Sequence, residues 1–154
     1  MTKIRLTALI MAAPLALAVS GALAQDVASC ANAAASQWEP GYASVGRDTF
    51  TIDSTSAIAA CKAALDADSG NVELKAWLGR AYYAGGQTDL AVPLLEEATA
   101  AGSSVALALY GDMLISGDGV AQDMERGVEM VRQAAEAGFA RAQNSFGLSY
   151  DFGE

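Results

Sequence analysis

The feature that most constrains this 154-residue chain is an internal repeat. Gly111 and Gly147 lie 36 residues apart, and the same offset relates further pairs of similar residues: Ala98 and Ala134, Gly102 and Gly138, Ala106 and Ala142, Tyr110 and Phe146, Gly117 and Gly153. A period of this size is typical of stacked helical hairpins, because one hairpin cannot bury its apolar face alone. The repeat therefore predicts an all-α fold and favours recognition over catalysis.

Apolar residues at helical spacing, with capping residues and glycine stops, predict where the helices lie. We expect a short helix over 26–36 and an irregular connection over 37–53. The helices of the repeats should then occupy 54–70, 72–84, 88–102, 103–117, 123–138 and a last stretch from about 140. Pro93 lies one turn into the third of these helices, where its missing N–H is expected to delay the regular start.

The first 24 residues have the pattern of a secretory signal peptide. Lys3 and Arg5 precede an apolar run, and Ala22-Leu23-Ala24 supplies the small residues of a cleavage site. The run from 6 to 19 is shorter than the about 20 residues that a membrane-spanning helix needs. We therefore predict cleavage before Gln25, a periplasmic or secreted location in a Gram-negative bacterium, and no membrane insertion afterwards.

A lipoprotein is the competing interpretation of this N-terminus. Val27-Ala28-Ser29-Cys30 superficially resembles a lipobox. Asp26 argues against lipidation, because its charge falls where that motif requires an apolar residue. A conventional cleavage site also lies immediately upstream.

Charge and composition exclude several functions. Cleavage would remove Lys3 and Arg5 from the 9 basic residues and none of the 18 acidic ones, which takes the net charge from −9 to −11. Nucleic acid is then a poor partner, since phosphate binding needs clustered basic side chains. The chain has no His, which removes the usual general base and the most common metal ligand. We predict no catalytic residue, no cofactor and no metal.

The chain has two cysteines, Cys30 and Cys61. In an exported protein an even pair predicts a disulfide, which would tether the N-terminal helix and the connection after it. The alternative is that Cys61, at the register that Leu95 occupies in the next hairpin, is an inert buried thiol.

Two repeat families resemble this sequence. The segment from Ala106 to Gly138, with Tyr110-Gly111 and Gly117-Asp118-Gly119-Val120, resembles a Sel-one-like repeat (SLR), and 142–153 is similar to the start of another. Leu78-Gly79-Arg80-Ala81-Tyr82 is closer to a tetratricopeptide repeat (TPR). The resemblance implies a right-handed α-solenoid of TPR-like and SLR hairpins, of the exported bacterial type.

The resemblance also implies a binding groove. In tetratricopeptide arrays the first helix of each hairpin lines the concave side, so a protein or peptide ligand would contact the matching positions here: Arg80, Tyr83, Asp112, Arg141, Asn144 and Asp151. The alternative is that Arg80, Asp112 and Arg141 only pair with one another as weak surface ion pairs.

The predicted organisation is a signal peptide over 1–24, a disulfide-tethered helix and loop over 25–53, and a solenoid over 54–154 that is cut within a repeat. We expect a non-enzymatic scaffold for protein–protein interaction. Two alternatives stay open at this point: a targeting or regulatory segment of a larger cell-envelope enzyme, and a cell-wall-binding module.

Overall fold

The computed structural model describes the backbone of residues 15–151 and the side chains of residues 21–145. Within that part of the chain the fold is all-α, as predicted. A short 3-10 turn occupies Thr49–Thr51, and the helices are α1 (Leu15–Ala34), α2 (Ser54–Ala67), α3 (Val72–Ala84), α4 (Thr88–Ala100), α5 (Ser104–Ser116), α6 (Met124–Glu136) and α7 (Ala140–Asp151). Residues 1–14 of the predicted signal peptide and the repeat glycine Gly153 lie outside the described residues.

The helices stack as a series of hairpins. Each helix packs against the next one in the chain, and the first helices of successive hairpins, α1, α3 and α5, also contact one another in that order. This is the arrangement of a helical repeat solenoid, so the predicted fold class is confirmed. The N-terminal helix is longer than the predicted 26–36, because α1 is continuous through the predicted cleavage position before Gln25.

Local sequence explains several of the helix ends. The side chain of Asn71 accepts a hydrogen bond from the Leu74 amide at 3.1 Å and so caps α3, and Asp123 caps α6 in the same way. Gly117 ends α5 in the left-handed conformation, at φ 75°. One prediction is wrong: Pro93 lies inside α4, but the helix still begins at Thr88.

Two glycines let α5 and α6 approach closely. A Cβ added at Gly111 would lie 2.9 Å from the Gly127 carbonyl oxygen and 2.9 Å from Cγ2 of Val131. A Cβ added at Gly127 would lie 2.7 Å from the Gly111 carbonyl oxygen. The contact is therefore reciprocal, and it accounts for a mid-helix glycine that by itself costs about 1 kcal/mol relative to alanine.

Gly111→Val should lower the free energy of unfolding by about 1 to 3 kcal/mol or more, because the added side chain must push α6 away from α5. Thermal melting measures the effect. Ala63→Val is the matched control, since it places the same β-branched side chain at an exposed position inside α2. Equal melting temperatures for the Gly111 variant and the wild type would contradict this account of the contact.

A disulfide joins the two helices of the first hairpin. Cys30 on α1 and Cys61 on α2 are bonded, as predicted, with their Cα atoms 4.5 Å apart. Both residues are fully buried. The bond closes a loop that contains the whole connection between α1 and α2, so it restricts that connection in the unfolded chain as well as in the native one.

Loss of this bond should destabilise the protein by about 3 to 4 kcal/mol, the value expected from loop-closure entropy. Denaturant unfolding of Cys30→Ala/Cys61→Ala, compared with reduced wild type, measures the effect, and both should unfold at a lower midpoint than the oxidised protein. Mass spectrometry of a non-reduced digest should show the linked peptides. Two free thiols in protein prepared under oxidising conditions would rule the bond out.

Candidate interaction surface

The first helices of the hairpins, α3, α5 and α7, line one side of the solenoid, here called the inner surface. Three of the predicted groove residues are accessible on it. Asp112 on α5 and Arg141 on α7 form an ion pair at 3.8 Å, with 49% and 54% of their side chains exposed, and Asn144 on α7 is exposed as well. The side chain of Asp151, also predicted for the groove, lies outside the described side chains.

Arg80 is not accessible on the inner surface, which corrects the prediction for this residue. It is 2% exposed, and its guanidinium donates hydrogen bonds to the carbonyl oxygens of Ala34 at 2.7 Å, Ala35 at 3.0 Å and Arg47. Burial lowers the pKa of Arg80 to about 10. The alternative of a surface ion pair with Asp112 is wrong as well, because the partners of Arg80 are backbone carbonyls.

Tyr83 has a partner within the chain. Its hydroxyl donates a hydrogen bond of 2.6 Å to Oδ2 of Asp118, in the turn between α5 and α6. Partial burial, together with this bond, raises the pKa of Tyr83 to about 12. Tyr83 therefore links two neighbouring hairpins, and a ligand could reach only the half-buried ring.

The chain itself covers part of the inner surface. Residues 36–48, here called the strap, cross α3 and reach the start of α7. Nε1 of Trp77 donates a hydrogen bond of 3.0 Å to Oε2 of Glu39, and the ring of Tyr42 meets the Trp77 ring edge-on at 5.0 Å between centroids. The Ala140 amide donates to the Trp38 carbonyl at 3.0 Å. The N-terminal part of the predicted groove is thus already occupied.

The two ends of the strap are held together. The Arg47 amide donates to the Ala35 carbonyl at 2.8 Å, and the Arg47 Nε donates to the Asn32 carbonyl at 2.9 Å. Gly46 fits only without a side chain, because a Cβ there would lie 2.3 Å from the carbonyl carbon of Ser36. The strap is therefore a closed loop. Its two ends, here called the base, are also held by the hydrogen bonds from Arg80 to the backbone carbonyls.

Glu39 has the most strongly shifted pKa in the strap. Its side chain is buried under the loop, with the residue 6% exposed, and it lies beside the carboxyl group of Glu73 on α3. Burial and the neighbouring Glu73 raise the pKa of Glu39 to about 7, although the hydrogen bond from Trp77 acts in the opposite direction. Sequence reasoning missed this residue. An acidic side chain between Trp38 and Pro40, in a segment without helical period, was the only signal.

Beyond the strap the inner surface is open. A shallow depression lies between the strap, α5 and α7, and the Asp112–Arg141 pair is part of its lining. The other polar residues of the lining are Ser36, Asp48, Thr49 and Arg80, and the apolar ones are Trp38, Val105, Ala108, Leu109 and Phe139. Partial burial raises the pKa of Asp112, and the charge of Arg141 partly offsets this effect. The depression therefore combines apolar side chains with a loosely held ion pair.

In the part of the chain that the structure describes, no helix is long and apolar enough to cross a bilayer. Among the same residues, no three His, Cys, Asp or Glu side chains come together in a way that could hold a metal ion.

Comparison with known proteins agrees with the hairpin architecture. Residues 53–111, which span α2 to most of α5, match the family described as tetratricopeptide repeat. The match supports a TPR-like superfamily for the repeats. No significant match was found among curated proteins or among solved structures.

Glu39→Gln should remove a pH dependence of stability. The folded-state pKa of Glu39 is raised from 4.5 to about 7, so the native state holds a proton that the unfolded state releases, and stability is lost as the pH rises between these values. At pH 8 Glu39→Gln should therefore be about 1 to 3 kcal/mol more stable than wild type, since a pKa difference of one unit corresponds to about 1.4 kcal/mol. Below pH 4.5 the two proteins should differ little.

Urea unfolding at a series of pH values measures the difference. Asp66→Asn is the control, because it neutralises an exposed carboxylate on α2. If wild type and Glu39→Gln lose stability in parallel between pH 5 and 8, the Glu39 carboxyl is not the group responsible.

Proposed function

We propose that this protein is an exported, non-catalytic scaffold that binds a protein or peptide through the open part of its inner surface. The TPR match over 53–111 supports the general role, since such repeats commonly bind protein partners. Export is supported by the signal-peptide pattern of residues 1–24 and is consistent with the disulfide between Cys30 and Cys61.

The observation that carries the proposal is the depression beside the strap. Asp112 and Arg141 are half exposed and 3.8 Å apart, which is too long for a strong hydrogen bond. A peptide backbone or a charged side chain can therefore compete for either group at little cost. The buried ring of Phe139 and the small Ala108 leave room for an apolar side chain beside them. Asn144 adds an exposed amide one helical turn beyond Arg141.

The ligand proposed for this surface is a peptide segment with one apolar side chain and at least one polar or charged neighbour. Nucleic acid does not fit, because the net charge of the chain is −9 and the exposed arginine of the depression, Arg141, is paired with Asp112. The predicted groove residues Asp112, Arg141 and Asn144 are kept in this proposal. Arg80 is reassigned to holding the strap.

Site-specific crosslinking should test the proposal. A photoreactive amino acid placed at Asn144 should capture a partner in envelope extracts, and Asp112→Ala/Arg141→Ala in the same protein should reduce the capture at least tenfold, as expected for the loss of about 1.4 kcal/mol or more of binding energy. Circular dichroism and melting should stay unchanged, since both side chains are half exposed.

Arg132 provides the matched control. It lies on the outer helix α6, where it is paired with Glu129 and Glu136. The photoreactive group at position 132 should capture no partner, and Arg132→Ala should leave capture from position 144 intact. Equal capture from both positions, or capture that survives the double alanine variant, would place binding elsewhere.

A further inference from the structure

The tip of the strap is held differently from its base. At the base, Arg80 and the Arg47 amide make several hydrogen bonds to backbone carbonyls, and none of these depends on a group that titrates near neutral pH. At the tip, the attachments to α3 are the hydrogen bond from Trp77 to Glu39 and the edge-on contact of Tyr42. The polar attachment of the tip to α3 therefore depends on one carboxyl group, whereas the Trp38 carbonyl is held separately by the Ala140 amide of α7.

The surroundings of Glu39 make its charge state decisive. From α3 it faces Glu73, whose Oε2 accepts a hydrogen bond of 3.2 Å from the Ser103 hydroxyl. Within the strap its carboxyl neighbours Tyr42, whose own pKa is raised by burial and by both glutamates. With the Glu39 proton in place, the two carboxyl groups can share a hydrogen bond. Without it, two like charges are forced together in a buried site.

Arg80 is a cation close enough to interact with Glu39. The negative charges of Glu39 and Asp48 in the strap raise the pKa of Arg80, and the positive charge of Arg141 on α7 lowers it. The Arg80 guanidinium is committed to three carbonyl oxygens, and it forms no ion pair with Glu39. The charge of Glu39 therefore favours the charged form of Arg80, but no ion pair joins the two side chains.

We propose that the strap tip, residues 39–45, is a pH-sensitive cover of the inner surface. While Glu39 and Glu73 share a proton, the tip stays docked on Trp77. When that proton is lost, the carboxylates repel each other, the tip moves away, and the buried face of Trp77 becomes part of the open surface. The disulfide and the Arg80 contacts keep the base in place, so the change is local. The regulatory meaning of the cover rests on the proposed function, whereas the movement does not.

Trp77 fluorescence should report the movement without any ligand. The chain has two tryptophans, so Trp38→Phe leaves Trp77 as the single emitter. Trp77 is 1% exposed with the tip docked. Between pH 5.5 and 8.5 its emission should shift to longer wavelength and its quenching by acrylamide should increase several-fold, with a midpoint near the Glu39 pKa of about 7. Far-UV circular dichroism should stay constant.

Three variants in this background make the test specific. Glu39→Gln keeps an acceptor for Trp77 and adds a donor for Glu73, so it should hold the tip docked at every pH. Glu73→Gln removes the second charge, so Glu39 should lose its proton at lower pH without a carboxylate to repel it, and the transition should be abolished. Glu129→Gln, on the exposed outer helix α6, should behave like the parent.

Hydrogen exchange of the unmodified wild type gives an independent measurement. The Val45 and Gly46 amides donate to the Tyr42 carbonyl. The Val45 amide, which lies in the tip, should exchange several-fold faster at pH 8 than at pH 6 after correction for intrinsic rates. The Leu107 amide on α5 should show no such change. A pH-independent Trp77 signal, a transition that persists in Glu39→Gln, or a parallel loss of helical signal would each overturn the proposal. None of these results depends on whether a partner binds at Asp112 and Arg141.

Discussion

The buried guanidinium of Arg80 is the interaction on which the N-terminal part of the structure depends. A cation that is 2% exposed is costly to bury unless its donors are satisfied, and here they meet carbonyl oxygens from the end of α1 and the end of the strap. Those carbonyls belong to the last residue of α1, to the residue after it and to a loop, where no helical amide pairs with them. Arg80 therefore ties α1, the strap and α3 into one unit.

This tie determines where a ligand can bind. In a simple stack of hairpins the inner surface would be open from α3 to α7. Because the strap crosses α3, the accessible part is displaced toward α5 and α7, where Asp112 and Arg141 lie. The disulfide adds to this arrangement, since it holds the helix from which the strap departs. The N-terminal segment is thus part of the proposed interaction surface rather than a separate cap.

The repeats could be predicted from sequence because their information is periodic. The recurring Gly111 indicated a helix contact, and the structure supplies Gly127 as its partner on α6. Residues that act across the repeats have no such period. Trp77 and Glu39 are 38 residues apart, and nothing in either local pattern pairs them. The register of Arg80 correctly placed it on a first helix, but register cannot tell whether solvent or another segment covers that face.

The absence of histidine in this chain gives the Glu39 carboxyl its significance. A protein that responds to pH near neutrality ordinarily uses imidazole, so here the response requires a group whose pKa is displaced. Burial beside a second carboxyl raises the pKa of Glu39 in this way. The two carboxyl groups can lie together without repulsion only while the proton stays bound. The overall charge of −9 acts in the same direction, because each further negative charge makes ionisation of a buried carboxyl less favourable. That carboxyl lies in a strap whose base is fixed and whose tip makes few contacts with α3. The repulsion between Glu39 and Glu73 is therefore expected to move the tip and to leave the rest of the fold in place.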